Sequence, residues 1–218
     1  MFVDGFKGVR REIKTGREPF EIFNIEADKQ EAKNLAGTSP HFKALQKKMQ
    51  QRVLQLRRPT SGAKRPYDDF EVPPILPLET TPGLSAQFMV GKFQWVPRVN
   101  KGESFHVTEP SFTAVTAGAV QFSGFLQIKE AGEYRFQVGA GSTVLHLHQA
   151  LILDTDTSSS QLGRSKGAVN LAVGLHPFNM VCLLAAGGQV PQLQVSGSDG
   201  FVLSDAFVRS SESVESAR

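Results

Sequence analysis

The sequence predicts a mainly β protein, an antiparallel β-sandwich preceded by a small α+β segment of antiparallel strands and one amphipathic helix. Three observations predict it. From Gly83 onward the chain breaks into short runs in which apolar and polar residues alternate, the period of a strand with one buried face. Those runs are separated by glycine-bearing turns such as Glu130-Ala131-Gly132, Gly139-Ala140-Gly141 and Gly187-Gly188, which favour hairpins over crossovers. A helical period stands out in one place, where Phe42, Leu45, Met49, Val53 and Leu56 recur at spacings of three or four.

Taken in order, the first element with a clear signal is a strand carrying Phe20, Ile22, Phe23 and Ile25, apolar and β-prone, bounded by Pro19 and by Glu26-Ala27-Asp28-Lys29. Asp28 followed by Glu31 reads as a capping box, with a brief helical turn expected through Leu35. Ser39 is placed as an N-cap, with Pro40 at the first helical position, where a missing N–H costs nothing. The helix is expected to end near Arg58, before Pro59. Lys43, Lys47, Lys48, Arg52, Arg57 and Arg58 populate its remaining faces, the last two at the negative end of the helix dipole.

Residues 59–81 are dense in proline (Pro59, Pro66, Pro73, Pro74, Pro77) and lack sustained periodicity. Proline fixes φ and cannot donate to a ladder, so this stretch reads as an extended interdomain linker. Val72, Ile75, Leu76 and Leu78 are too apolar for a fully solvated tether, so part of it is expected to lie against one of the modules. The β region then offers strands at 84–90, 104–107, 118–128, 132–138, 143–147, 151–153, 167–172, 174–185 and 192–196, with 201–202 and Phe207 closing the set. The expected division is a first segment 1–58, a linker 59–81, a sandwich 82–208 and a disordered tail 209–218.

Charge is unevenly placed. Residues 1–66 carry 15 Lys and Arg against 7 Asp and Glu, and residues 67–218 carry 9 against 14. The basic third surrounds an amphipathic helix, and no aromatics interleave with it in a nucleic-acid-binding pattern, so nucleic acid is not expected as a partner. No apolar run is long enough to span a membrane and no signal peptide is read at the N-terminus. A single cysteine, Cys182, excludes an internal disulfide. It sits in the apolar run NMVCLLAA and reads as a buried structural thiol. No phosphate-cradling glycine loop, HExxH or GxSxG appears.

The stretch EPFEIFNIEADKQEAKNLAG, residues 18–37, resembles the closing segment of sulfatases of the alkaline phosphatase superfamily, which carry a phrase like ELYDLEADPGETNNLA. The matching positions are Glu21, Ile22, Phe23, Asn24, Glu26, Asp28, Glu31, Asn34 and Leu35, with Lys29 in place of the usual proline. Phe6, Lys7 and Val9, within a strand pair expected over residues 2–12, stand where that family has a W-K-hydrophobic strand. The resemblance covers residues 1–58. It implies the tail of a bacterial, exported sulfatase, in the periplasm or outside the cell, with the sulfatase catalytic domain as partner. It does not bring catalysis, because the family's nucleophile arises from a CxPSR motif and this chain has none, so the chain alone is not expected to be an enzyme.

The β region resembles the PA14 family. The carrying residues are FSGFLQIKEAGEYRFQV at 122–138, VLHLHQALILDTD at 144–156, GAVNLAVGLHPFNMVCLLAAGG at 167–188 and the opening PGLSAQFMVGKFQWVP at 82–97. Several PA14 relatives bind glycans through calcium held by adjacent aspartates before the R-L-Y-I-D-G strand. This chain reads Gly139-Ala140-Gly141-Ser142-Thr143 there, and His148-Gln149 in place of Asp-Gly. Calcium takes several hard oxygen ligands, preferably carboxylates, and this loop offers only hydroxyl and backbone oxygens. No cofactor is therefore expected.

Five residues are candidates for ligand binding: Asp154, Asp156, His146, His148 and Trp95. Asp154 and Asp156 sit in the polar loop DTDTSSSQ, where loops at the end of a sandwich carry function; the plainer reading is a turn in which Asp and Ser bond their own backbone. His146 and His148 are two apart, which puts both imidazoles on one strand face. A third zinc ligand is not signalled, though His176 is a candidate to approach in space, and the plainer reading is a solvent-facing strand. His176, in GLHPF, matches the family's turn histidine and reads as structural. Trp95 and Phe93 offer a platform for a sugar ring, but the resemblance implies that this opening segment buries its aromatics.

Two function classes remain. One is an accessory module that binds polysaccharide or another glycan and so concentrates substrate for an attached sulfatase. The other is a structural or assembly domain that packs on the catalytic domain or another subunit and binds no ligand.

Overall fold

The computed structural model describes residues 1–56, 65–156, 164–197 and 206–211. Three short antiparallel strands open the chain: β1 (Phe2–Val3), β2 (Phe6–Val9) and β3 (Glu21–Phe23), in the order β1-β2-β3. Asp4 and Gly5 both have positive φ, 50° and 81°, the conformation that lets a two-residue hairpin follow the right-handed twist of its strands. The helix α1 (Pro40–Leu54) packs on this sheet, burying Leu45 and Met49 against Phe20 and Ile22. Strand β2 takes glycine at Gly8 because a Cβ there meets the Met49 side chain and the Phe20 ring.

Ser39 is extended and its hydroxyl accepts the Phe42 N–H at 3.3 Å, with Pro40 opening the helix. The helix stops at Leu54 and not near Arg58. Gln55 caps it, donating its backbone N–H to the Arg52 carbonyl at 3.1 Å, and Leu56 is 38% exposed. Arg57 and Arg58 lie outside the described residues.

The capping box expected at Asp28 and Glu31 does not form, and no helical turn runs to Leu35. The Asp28 carboxylate accepts the Lys33 N–H at 2.8 Å, while Glu31 adopts φ 54° and turns its carboxylate to the Lys7 ammonium at 2.5 Å. Asn24 accepts the N–H groups of Glu26 and Ala27, and Asn34 accepts those of Ile22 and Ala36. Short polar side chains here satisfy backbone donors in place of helical carbonyls, the competition that keeps Asn and Asp out of helix interiors. Asn34 and the 2.8 Å bond from Leu35 N–H to the Ile22 carbonyl tie the loop to β3.

The sandwich is built from β4 (Thr80–Pro82), β5 (Leu84–Val90), β6 (Glu103–Val107), β7 (Gly118–Ile128), β8 (Gly132–Val138), β9 (Thr143–Leu147), β10 (Ala150–Asp154), β11 (Lys166–Leu171), β12 (Gly174–Leu184), β13 (Leu193–Ser196) and β14 (Phe207–Ser210). One sheet has eight strands in the order β10-β9-β12-β7-β14-β4, with β5 pairing the first part of β7 and β6 pairing β5. The other has three, β11-β8-β13. Every pairing within them is antiparallel. Phe122, Leu126, Leu145 and Met180 from the large sheet meet Tyr134, Phe136 and Val169 from the small one, all buried. Alternation decides this: along β8 the buried Tyr134, Phe136 and Val138 interleave with exposed Glu133, Arg135 and Gln137.

Strand β4 has no counterpart among the sequence expectations; it is an edge strand ending in Pro82, a position where a missing N–H is harmless. Phe201 and Val202 lie outside the described residues. So do residues 212–218, whereas Arg209 and Ser210 belong to β14.

Residues 65–78 form a strap joined to both parts of the chain. Val72 donates to the Asn170 carbonyl at 2.7 Å and accepts from Ala172 at 3.1 Å, a parallel bridge onto the edge of β11. Ile75 N–H donates to the Leu175 carbonyl at 2.9 Å. On the other side, the Gln55 side chain donates to the Pro73 carbonyl at 2.9 Å, and the Gln55 carbonyl accepts the Gln149 N–H at 3.2 Å. The Arg10 guanidinium lies over the rings of Phe20 and Tyr67 at 4.6 and 5.1 Å. Asp68 is buried and paired with Arg65, Nε to Oδ1 at 2.7 Å.

Candidate functional site

Residues 91–102 connect β5 to β6, yet the Val96 N–H donates to Asp156 Oδ2 at 2.8 Å, just beyond the end of β10. The strand order places β7, β12 and β9 between β5 and β10. The connection therefore passes over the ends of three strands and is pinned at the far margin of the sheet. Phe93 folds back over Gly91, where a Cβ would meet its ring. Trp95, next to the pinned Val96, is turned outward and is 65% exposed. The burial expected for Trp95 is thus corrected: the anchor at Val96 fixes the loop by its backbone and leaves the indole free.

Asp156 is itself held. Its N–H donates to Asp154 Oδ1 at 3.1 Å, the local Asx bond expected of such a loop. The neighbouring Thr155 hydroxyl accepts the Thr143 N–H at 2.9 Å and donates to the Gly141 carbonyl at 2.5 Å. Asp156 Oδ1 is buried and has no hydrogen-bond partner among the described residues. Asp154 lies opposite Val144, and its charge acts on His146, two residues along β9. The His146 pKa is lowered by burial, with Asp154 opposing that shift. The structure thus ties the Trp95 loop to Asp156 at the far margin of the large sheet, and couples Asp154 to both Asp156 and His146.

His148 does not belong to this group. Strand β9 ends at Leu147, and His148 occupies the hairpin turn at φ 53°, so the two histidines do not continue along one strand face as expected. Its Nε2 meets Nδ1 of His176 at 2.9 Å, with the rings edge to face at 85°. His176 is fully buried and its Nε2 lies 2.8 Å from the Ala172 carbonyl. A carbonyl only accepts, so His176 carries its proton on Nε2, its Nδ1 accepts, and His148 donates from Nε2. Burial, then His176, then Arg52 hold the His148 pKa down at about 3. This pair locks the β9–β10 turn under the end of α1, and it has the form of a structural contact.

The loop at 139–143 does not fit calcium. Gly141 and Thr143 spend their oxygens on Thr155, no carboxylate lies within the loop, and no cluster of three metal-ligating side chains exists among the described residues. Among those residues, no helix is long and apolar enough to cross a membrane. Cys182 is fully buried, accepts a hydrogen bond from the Thr143 hydroxyl at 3.4 Å, and burial raises its thiol pKa to about 12. Sequence reasoning missed the Val96 anchor, because a backbone N–H carries no residue signature.

No family model matches this sequence and no curated protein matches it. Among solved structures, the PA14 domain of the MpAFP antifreeze protein is similar with a TM-score of 0.47 at 15% identity, over 65% of this chain and 98% of that one. An anti-sigma factor domain-containing protein from Clostridium clariflavum is similar at 0.49 and 16%, over 62% of this chain and 49% of the other. The epithelial adhesin 9 A domain from Candida glabrata, solved in complex with Galβ1-4GlcNAc, is similar at 0.48 and 8%, over 73% and 99% of the two chains.

Proposed function

We propose that this chain is a non-catalytic glycan-binding module, the accessory part of an exported bacterial sulfatase that holds the enzyme against its polysaccharide. The observation that carries the reading is Trp95: a large aromatic ring 65% exposed on a loop that Asp156 pins from across the sheet. A fixed, exposed ring offers an apolar face to a pyranose at little ordering cost, and polar groups beside it orient the hydroxyls. Asp154, Asp156 and His146 are the polar groups present. The sulfatase link is supported by the sequence phrase at 21–35, whose Asn24, Asp28, Glu31 and Asn34 each fix the loop between β3 and α1. Holding an enzyme on a polymer raises its effective substrate concentration without any catalytic group in the module.

Binding to an array of plant, algal and host glycans tests the reading. The wild-type chain binds and Trp95→Ala loses binding on every glycan that the wild type recognises; equal binding by both contradicts it. A second reading, a domain that packs on a catalytic domain, is supported by exposed apolar side chains at the opposite end of the sandwich. Leu76 is 85% and Val173 55% exposed, in segments linked by the Ile75–Leu175 bond. Substituting both with serine separates the readings, since it leaves glycan binding intact and weakens only docking.

A further inference from the structure

The loop that carries Trp95 is basic in an otherwise acidic sandwich. Residues 67–218 hold nine Lys and Arg against fourteen Asp and Glu, yet Lys92, Arg98 and Lys101 fall within residues 91–102 and none of the acids does. All three are exposed, and none makes an ion pair or a side-chain hydrogen bond among the described residues. Their backbone is held at three points. Gly91 N–H donates to the Ala117 carbonyl at 3.0 Å, Val96 is anchored on Asp156, and Gly102, at φ 134°, sits where a Cβ would meet the Phe88 carbonyl. Lys92 and Phe93 line a cleft of about 260 Å³ against Gly118 and Leu184, where β7 begins and β12 ends, and no acid lines it. Asp156 offers little charge to the loop surface, since one oxygen accepts the Val96 N–H and the other is buried. Glu103, exposed at the start of β6, is the acid next in sequence, and residues 91–103 still carry a net charge of +2.

We infer that this loop binds a polysaccharide through its anionic substituents, with Lys92, Arg98 and Lys101 taking the charges and Trp95 a sugar face. The inference rests on the glycan-binding reading of Trp95 and names its ligand class; sulfate esters are the substituent that an accessory part of a sulfatase is expected to meet. Because the loop backbone is already held and the cations are unpaired, an arriving anion orders only side chains and displaces no ion pair. Ammonium and guanidinium groups form charge-assisted hydrogen bonds with sulfate or carboxylate oxygens, roughly twice as strong as neutral ones. The cleft beside Lys92 falls just below the roughly 300–1,000 Å³ that encloses a whole small ligand. It therefore suits one substituted unit of a longer chain. A nucleic acid presents a phosphate at every nucleotide, and the acidic remainder of the sandwich repels such a chain, whereas the sparser charges of a glycan meet the loop alone.

The test compares dextran with dextran sulfate, alginate and single-stranded DNA by affinity electrophoresis and calorimetry, at low and at physiological salt. Dextran sulfate binds more tightly than dextran, and added salt narrows the gap. Alginate set against dextran sulfate tells carboxylate from sulfate as the group taken. The triple variant Lys92→Gln/Arg98→Gln/Lys101→Gln, at exposed and unpaired positions, lowers affinity for dextran sulfate about tenfold and leaves the weaker dextran binding as it is. Equal affinity for dextran and its sulfate, or full dextran sulfate affinity in the triple variant, overturns the role of the cations while leaving Trp95 as a glycan site. Dextran sulfate binding that the triple variant loses and Trp95→Ala keeps, or tighter binding of DNA, overturns the loop as a glycan site. No binding to any of the chains overturns both.

Discussion

His148 and His176 meet nitrogen to nitrogen at 2.9 Å, and the Ala172 carbonyl behind them fixes which of the two donates. Burial disfavours the charged form of both rings, and a proton added to His176 Nδ1 places two donors face to face. An unfolded histidine titrates near 6.5 whereas folded His148 titrates at about 3, so between those values the unfolded chain binds a proton that the folded chain refuses. Stability is then flat above pH 7 and falls as pH drops from about 6.5 toward 3, by roughly 1–3 kcal/mol. Thermal unfolding across that range checks it, and His148→Gln, whose amide still donates to His176, flattens the slope.

Among the described residues, the Asp156 carboxylate ties the Trp95 loop to the β10 margin through the Val96 N–H. Asp156→Ala removes a charge-assisted bond to a backbone N–H and costs about 1–2 kcal/mol. Its larger effect is on order: residues 91–102 gain amide hydrogen exchange, and glycan affinity falls even though Trp95 is unchanged. Asn at this position, which keeps an acceptor for Val96, restores most of both.

Asp68 is buried with its carboxylate on Arg65, in the strap that touches Arg10 through Tyr67 on one side and β11 through Val72 on the other. Asp68→Ala takes the carboxylate from a largely buried guanidinium that keeps its contact with Tyr67, and breaking such a pair costs roughly 3–5 kcal/mol. Chemical denaturation then shows a lower midpoint for the whole chain, because the strap is shared by the α1 unit and the sandwich.

Cys182 is fully buried, and its thiol pKa is raised to about 12 by burial. The native protein is inert to thiol reagents at neutral pH, and the single thiol reacts stoichiometrically once denaturant unfolds the sandwich. Rapid labelling of the native chain contradicts the placement of β12 in the core.

Much of the fold was legible because it is written in side-chain period. Gln121 and Ser123 alternating with Val120 and Phe122 gave β7 and its two faces, and Ser39-Pro40 gave the start of α1. Which strands neighbour each other is a long-range matter that alternation cannot carry. Asp28 and Glu31 have the spacing of a capping box, yet the Lys33 N–H takes the Asp28 carboxylate and Lys7, distant in sequence, takes that of Glu31. His148 was misplaced because a strand pattern does not announce the residue at which a hairpin turns. Asp154 and Asp156 were found by composition, while their connection to Trp95 runs through a backbone N–H distant in sequence.

The chain holds one tryptophan, so its fluorescence reports on Trp95 alone. Titrating a bound glycan while measuring emission and acrylamide quenching tests the central claim most directly. The account predicts a fully quenchable indole in the free protein that becomes shielded, with a shifted emission, in proportion to bound glycan. Glycan binding that leaves both emission and quenching unchanged would contradict it.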